Sequence, residues 1–203
     1  MTVIDLRKEI TINSPAGSGN TFFMELMDKN IYFRLRWVNH DPDLFDKNGI
    51  NLYILRNPFD AIASGIEVNF RDFSEDEQDD YMKNLDFYLK DSVKYQLNTY
   101  NKFLNNAKIN DYITPIGFRM LTERPDLLLD RLSKKFDLPF KENRVGPEDV
   151  KLKMNSVKNL KDRLPRDTSY LRKKIDLAVN AHDPVKDCYN NYIEYKSSID
   201  LSL

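Results

Sequence analysis

Short β-type runs alternate with helical patterns along the chain, and this alternation limits the fold more than any other feature of the sequence. The β-type runs cover residues 9–13, 31–38, 50–55 and 111–118. The helical patterns cover residues 21–29, 58–70, 75–106 and 125–136. Strands separated by helices are typical of a parallel sheet with helices on both faces. We therefore predict a three-layer α/β protein with a central, mainly parallel sheet.

Length and composition bound the function. The 203 residues suffice for one α/β domain with a real core, so we expect a single domain over residues 1–203. A formal net charge of -1 argues against a globally basic nucleic-acid binder, so any anion site must be built locally. No run approaches the roughly 18 apolar residues of a membrane span. We expect no nucleic-acid or membrane partner, and a cytoplasmic location, which the lone cysteine, Cys188, also suits.

The stretch SPAGSGNTFF, residues 14–23, follows the first predicted strand and precedes a predicted helix. Gly17 and Gly19 allow a loop whose main-chain N–H groups point at one spot, where the helix dipole also favours an anion. Ser18 and Thr21 add hydroxyl donors. These residues therefore predict a phosphate or sulfate site, although an ordinary strand-to-helix turn with polar caps fits them as well.

Two positions of this stretch differ from the nucleotide-binding P-loop motif GxxxxGK[ST]. Asn20 stands where the motif has its lysine, and Ser14 occupies the first glycine position. A triphosphate would lose its main counter-charge there. A nucleotide with a shorter 5′ anion is the better prediction.

A second stretch, INLYILRNPFDAIASGI, spans residues 50–66 and reads as an apolar strand that turns into a helix. Arg56 ends the strand, Pro58 suits a first helical turn, and Ser64 lies about two turns into the helix. In parallel α/β sheets, ligands bind outside the carboxyl ends of the strands. Arg56 would bring a charged planar fork suited to phosphate, and Ser64 a hydroxyl. The alternative is that Arg56 is an ordinary surface residue.

The two stretches together resemble the sulfotransferases that use 3′-phosphoadenosine-5′-phosphosulfate (PAPS). The family's first loop, PKSGTTW or in one subgroup PGSGNTW, corresponds to residues 17–22, GSGNTF. Its second motif, RNPxDxxxS, matches fully from Arg56 to Ser64. The resemblance implies a P-loop NTPase-like fold. It also implies that Gly17, Ser18, Gly19, Asn20 and Thr21 hold the phosphosulfate, that Phe22 packs near the adenine, and that Arg56 and Ser64 bind the 3′-phosphate.

The resemblance also implies a catalytic base. Cytosolic sulfotransferases commonly carry KTH at a strand end before the second motif, and WVNH puts His40 in that place. A neutral imidazole can take a proton from an acceptor alcohol near neutral pH. A structural or surface histidine is the alternative.

Two family lysines are absent, because Gly17 and Val38 stand in their places. Charge at the transferring group would have to come from elsewhere. Arg36 shares strand parity with His40, so both side chains should face one cleft. Arg36 and Arg34 are therefore candidate cations, and Lys8 and Arg7 are more remote ones. We take His40 and Arg36 as the candidate catalytic residues.

Two weaker matches complete the predicted site. Phe118, in GFRML, falls where a family tyrosine often contacts the adenine region, but an apolar strand end accounts for it equally well. The triplet Arg172, Lys173 and Lys174 corresponds to the late RKG segment that grips the 3′-phosphate, although it lacks the glycine and the GxWK continuation. Basic triplets are also common on solvated helix faces.

The resemblance thus implies transfer of a sulfuryl group from PAPS to a hydroxyl or amine of a small molecule or glycan, with 3′,5′-ADP as product and no metal. Two histidines and one cysteine, widely spaced, argue against a zinc site. Two alternatives stay open: a non-catalytic protein that binds PAPS or 3′,5′-ADP, and a P-loop small-molecule kinase. The acceptor and the oligomeric state cannot be read from the residues.

Overall fold

A computed structural model describes residues 8–152 and 169–199 of the chain. These residues form an α/β fold around a four-stranded, all-parallel sheet with strand order β2-β1-β3-β4. The strands are β1 (Glu9–Asn13), β2 (Arg34–Asn39), β3 (Ile50–Leu55) and β4 (Ile113–Gly117). The predicted α/β class and parallel sheet are confirmed.

Helices flank this sheet. The first six are α1 (Asn20–Asn30), α2 (Pro58–Asp72), α3 (Glu75–Lys83), α4 (Leu85–Ile109), α5 (Phe118–Glu123) and α6 (Pro125–Phe136). Residues 147–152 are helical (α7), and the chain continues, after the residues left undescribed, with α8 (Ser169–Ala181) and α9 (Asp183–Ser198). No described helix is both long and apolar enough to cross a bilayer.

The side chains of β3 show how the sheet divides the core. Leu52 and Ile54 belong to a cluster with α1, α5 and α6, whereas Tyr53 and Leu55 belong to a cluster with α2, α4, α8 and α9. Because successive side chains of a strand point to opposite faces, this alternation means that both faces of β3 are covered. The predicted three layers are confirmed.

Several sequence predictions differ from the structure. The predicted helix over residues 75–106 is two helices, because Asn84 leaves the helical conformation while its side chain bonds back to Asp80. Phe118, predicted to end a strand, instead begins α5. The C-terminal segment, predicted as irregular structure with one or two helices, is mostly helical where it is described. Pro184 lies in the first turn of α9 rather than breaking a helix, and Pro165 lies outside the described residues.

The strand order places the segment that follows β1 beside the segment that follows β3. The chain leaves β1 toward β2 on one side, and β3 and β4 lie on the other side of β1. The order therefore reverses between β1 and β3, and in open α/β sheets such a switch point leaves a crevice outside the carboxyl ends of the strands. The segments that follow β1 and β3 are the two stretches singled out in the sequence. We call this side of the sheet the carboxyl edge, and the opposite side the amino edge.

Candidate functional site

The end of each strand supplies a candidate residue to the carboxyl edge. Residues 17–21, called the glycine loop here, follow β1, and His40 follows the last residue of β2. Arg56 follows β3, and Phe118 follows β4. Since the strands are parallel, their ends meet at one edge, and residues separated by about a hundred positions become neighbours.

The glycine loop has a conformation that requires its two glycines. Gly17 and Gly19 have φ values of 76° and 92°, a left-handed region that side chains disfavour. A Cβ atom added at Gly17 would lie 2.7 Å from the Cβ of Ser64 and 2.7 Å from the main-chain nitrogen of Gly65. The glycine loop and helix α2 are therefore in direct contact, and the structure brings the two motifs together.

Helix α1 begins immediately after this loop. Its first main-chain hydrogen bond runs from the Phe23 N–H to the Gly19 carbonyl, at 3.0 Å. The N–H groups of a first helical turn have no intrahelical acceptor, and they carry the positive end of the helix dipole. The loop and the start of α1 therefore provide main-chain donors suited to an anion.

The side chains of this segment differ in their surroundings. Ser18 is completely buried, and its Oγ has no hydrogen-bond partner among the described residues. Thr21 is exposed, while Phe22 is half-buried and packs against the core cluster on the α1 face. A buried hydroxyl without a partner is costly, so Ser18 offers a hydrogen-bonding group that a bound anion could use.

Arg56 is half-buried against neutral groups. Its Nη1 donates a hydrogen bond to the carbonyl of Gly17, and its Cζ lies 4.4 Å from the centroid of the Phe118 ring. Its Nε is buried without a partner, and within the described part of the chain Arg56 makes no ion pair. Burial lowers the pKa of Arg56, Asp60 opposes this, and Arg172 adds to it. An arginine remains charged under such conditions, so a positively charged guanidinium lies beside the glycine loop.

Phe118 is placed where it touches both motifs. A Cβ atom at Gly19 would lie 3.2 Å from the Phe118 ring, on which Arg56 stacks. Such stacking of a guanidinium on an aromatic face is favourable and fixes the plane of the fork. Phe118 thus belongs to the site as an observed neighbour of Arg56, and its contact with an adenine stays a prediction.

His40 bonds to the start of the same loop segment. Its Nδ1 lies 2.7 Å from the carbonyl oxygen of Ser14, and the residue is exposed. A carbonyl only accepts, so Nδ1 carries the proton, and in the neutral ring Nε2 is the unprotonated nitrogen. This tautomer leaves Nε2 able to accept a proton from an acceptor group.

Arg36 does not lie where strand parity predicted it. The pairing of β1 with β2 shifts register between Ile10 and Thr11, opposite Arg36, which interrupts the alternation of side chains. Its guanidinium bonds to Asp46 and lies 3.5 Å from a carboxylate oxygen of Glu9, the first residue of β1. These contacts are at the amino edge. The alternation that grouped Arg36 with His40 is thus interrupted, and the catalytic role of Arg36 stays a prediction. The other candidate cation of this strand, Arg34, also pairs with Glu9, at 3.3 Å.

The late basic triplet lies on helix α8, which packs on α2. Arg172 donates hydrogen bonds to Glu67 at 3.1 Å and to Asp176 at 2.9 Å. Burial alone lowers the pKa of Arg172, but these two bonds raise it above its ordinary value. Lys173 is exposed. Arg172 is thus close enough to lower the pKa of Arg56. Its own guanidinium is already hydrogen-bonded to the carboxylates of Glu67 and Asp176.

Sequence reasoning missed three residues that support the site. Ser14 Oγ accepts the N–H of Ile54 at 2.6 Å, and the Tyr100 hydroxyl donates to the carbonyl of Arg56. Gln96 is buried under Gly65, where an added Cβ would lie 2.8 Å from its Oε1. One signal was available: Gln96 is a polar residue on the apolar face of α4.

Two clefts lie away from the carboxyl edge. One, of about 710 Å³, is lined by Ile109, Pro115 and Tyr195 among others, and one of about 470 Å³ by Leu89, Lys174 and His182 among others. Neither includes the glycine loop, His40 or Arg56. An anion site consists of donor groups that surround an oxygen, so it does not require a large cavity. Over residues 8–152 and 169–199, no group of three or more His, Cys, Asp or Glu side chains is placed to hold a metal ion.

Comparison of the chain with protein-family models, with curated proteins and with solved structures found no match.

Proposed function

We propose that this protein is a PAPS-dependent sulfotransferase of P-loop NTPase-like fold, made of one domain over residues 1–203. The observation that carries the proposal is the contact between the two motifs. Arg56 donates to the carbonyl of Gly17 in the glycine loop, and it does so without an ion pair among the described residues. Two separate anion-binding elements at one strand switch point suit a ligand with two anionic groups.

The glycine loop would hold the 5′-phosphosulfate through the main-chain N–H groups at the start of α1. Ser18 supports this assignment, because its buried hydroxyl lacks a partner that a sulfate or phosphate oxygen would supply. Gly17 supports it as well, because any side chain there would meet Ser64 and displace the loop. Thr21 and Phe22 complete the segment by resemblance.

Arg56 and Ser64 would select the 3′-phosphate of the donor, a group that ATP and ADP lack. The guanidinium is already oriented by the Phe118 ring, and its Nε has no partner, so a phosphate oxygen would gain a donor that no described group uses. Phe118 would then lie beside the adenosine. Arg172 and Lys173 would add charge at greater distance.

His40 would act as the base that accepts the proton of the acceptor. Its Nε2 takes the proton from a hydroxyl or amine while the acceptor atom forms a bond to sulfur and the bond from sulfur to the 5′-phosphate oxygen breaks. The products are a sulfate ester or sulfamate and 3′,5′-ADP, which leaves with the electron pair of the broken bond. Main-chain N–H groups of the glycine loop would stabilise the charge that develops on that oxygen.

A second candidate function, a protein that binds PAPS or 3′,5′-ADP without catalysis, is favoured by one observation. Arg36, the predicted substitute for the missing family lysines, is bound by Asp46 and Glu9 at the amino edge. Removing one well-placed electrostatic group typically lowers a rate about 10²–10³-fold. Binding without detectable transfer is therefore the alternative outcome.

A thermal-shift comparison tests the donor assignment. At about 100 times Kd, a ligand stabilises a protein by about 2.7 kcal/mol, which for a chain of this length raises Tm by about 5–10 °C. We expect this shift with 3′,5′-ADP, and much smaller shifts with ADP, ATP and adenosine 2′,5′-bisphosphate. Stabilisation by ATP but not by 3′,5′-ADP would reject the sulfotransferase proposal and favour a kinase.

Transfer of labelled sulfate to a panel of alcohols and amines then separates catalysis from binding. The panel is run with the wild-type protein and with His40→Ala, whose affinity for 3′,5′-ADP is measured in parallel. Loss of transfer with binding retained supports His40 as the base. Full activity in His40→Ala would refute that role, and binding of 3′,5′-ADP with no transfer to any acceptor would favour the non-catalytic protein.

A further inference from the structure

Asn20 is buried although it is the first residue of helix α1, and its amide lies beside the candidate base. Only 3% of its surface is exposed. Its Nδ2 donates to the carbonyl of Ser14 at 3.3 Å and lies 3.4 Å from Nδ1 of His40. This side chain stands where nucleotide-binding P-loops have a lysine, and here it faces Ser14 and His40.

The chemistry of the three groups fixes which atom donates to which. The Ser14 carbonyl has two lone pairs, so it accepts both the Asn20 amide and the Nδ1–H of His40, which is 2.7 Å away. The contact between Nδ2 of Asn20 and Nδ1 of His40 then joins two donors, and it marks proximity rather than a hydrogen bond. Ser14 is also fixed through its side chain, because its hydroxyl accepts the N–H of Ile54 in β3.

We infer that Asn20 is a positioning residue for His40. Its amide holds the carbonyl that orients the imidazole, and so keeps Nε2 as the unprotonated nitrogen. Because Asn20 directly follows Gly19, a movement of the glycine loop on anion binding moves the group that holds the base. Occupancy of the loop is thereby linked to the position of Nε2; the catalytic meaning of this link rests on the proposed function, whereas the link itself does not.

Imidazole NMR tests this link directly, since the chain has only two histidines, His40 and His182. His182 precedes helix α9, and it serves as an internal reference. The tautomer of each ring is read from its nitrogen and carbon shifts at a pH where both rings are neutral. The variants are Asn20→Leu, which is close in size but has no donor, and Asn20→Thr, which keeps a hydroxyl donor.

We expect the wild-type protein to show His40 as the single Nδ1–H tautomer. Asn20→Leu should lose this single form and give a mixture of tautomers, Asn20→Thr should restore it, and His182 should be unchanged throughout. If Asn20→Leu does not fold, as judged by its amide spectrum, the smaller Asn20→Ala takes its place. An Nε2–H tautomer in the wild-type protein, or an unchanged His40 signal in the donor-less variant, would overturn the inference.

Addition of 3′,5′-ADP tests the coupling. We expect the nucleotide to shift the His40 signals of the wild-type protein and of Asn20→Thr, but to leave those of Asn20→Leu unshifted when each protein is titrated to saturation with the nucleotide. Binding that leaves wild-type His40 unshifted would reject the coupling. If the wild-type protein does not bind 3′,5′-ADP at all, the donor assignment fails, while the ligand-free tautomers still decide the role of Asn20.

Discussion

Two arginines, one within β2 and one directly after β3, have opposite surroundings. Arg36, at the amino edge, lies between the carboxylates of Asp46 and Glu9, and 39% of its side chain is exposed. Arg56, at the carboxyl edge, contacts the carbonyl of Gly17 and the face of Phe118, and its Nε is buried without a partner. One positive charge is neutralised within the fold, and the other is not.

The difference follows from the path of the chain. Residues 40–49 join β2 to the parallel strand β3, so they must run from the carboxyl edge back to the amino edge. They place Asp46 where Arg36 needs a counter-charge. No described segment brings a carboxylate within ion-pair distance of Arg56, and burying a cation without one is costly. The unpaired charge of Arg56 suits the binding role proposed for it, whereas a paired charge near the surface makes only a modest contribution to stability.

Gly17→Ala should have the largest effect on stability, and it should show most clearly that the carboxyl edge is more tightly packed than the amino edge. The new Cβ would lie 2.7 Å from Ser64 in a left-handed conformation, so we expect the free energy of unfolding to fall by about 2–4 kcal/mol. In Gly49→Ala, at the amino edge, the nearest atom to the new Cβ would be Oδ2 of Asp46 at 3.1 Å, and the free energy of unfolding should change by less than about 1 kcal/mol. Urea denaturation of both variants measures this. Equal losses would mean that the glycine loop is no more constrained than the β2–β3 connection.

Arg56→Ala should have the next largest effect, on ligand affinity. Hydrogen bonds to charged groups contribute about 1.5–3 kcal/mol, so the Kd for 3′,5′-ADP should rise about 10–100-fold. Arg36→Ala is the matched control and should leave Kd within about twofold, because that guanidinium is already paired. Isothermal titration calorimetry gives both values. A larger loss in Arg36→Ala than in Arg56→Ala would reverse the assignment of the two edges.

Ser18→Ala should act on affinity and stability with opposite signs. Its buried hydroxyl has no described partner, so its removal should leave the ligand-free protein as stable or stabilise it by up to about 1–2 kcal/mol. The Kd for 3′,5′-ADP should nevertheless rise about 2–10-fold. Ser133→Ala is the control, since its Oγ donates to Leu138 at 2.6 Å, and it should lose stability without losing affinity. Destabilisation by Ser18→Ala would indicate that the hydroxyl already has a partner.

The smallest effect is expected for the stability of Arg36→Ala. A partly exposed ion pair contributes about 0.2–1 kcal/mol, so the free energy of unfolding should fall by that amount at low salt. In about 1 M NaCl, where the Debye length is about 3 Å, most of the difference should disappear. Arg119→Ala, which breaks an exposed pair with Glu123 on α5, provides the scale for an ordinary surface contact. A loss that salt does not reduce would show that Arg36 is needed for packing.

The elements that were predicted well carry local signals. The bounds of β1, β3 and α6 were predicted to the residue, because apolar runs and a proline at the first helical turn mark them directly. The start of α3 was predicted in the same way from Ser74 and the acids after it, and the structure has the full capping box with Glu77. Arg56 and His40 were predicted to lie at the ends of strands, and the parallel sheet then predicted that both lie at its carboxyl edge.

What could not be predicted depends on contacts between distant parts of the chain. The irregularity of β2 that turns Arg36 away is invisible in a pattern of alternating residues. The short helix α5 was missed because six residues with little periodicity do not distinguish helix from strand. Gln96 and Tyr100 lie 40 and 44 positions after Arg56, on α4, and nothing near Arg56 in the sequence points to them.

The contact between Gly17 and helix α2 limits how the two motifs can vary. The space above Ser64 and Gly65 admits a main chain without a side chain, so each motif restricts the residues that the other accepts. An attempt to transplant residues 14–23 into a different protein would therefore need a matching pair of small residues on the adjoining helix. Conversely, a directed-evolution library should randomise positions 17, 64 and 65 as one unit, since changes made at them separately would mostly be rejected.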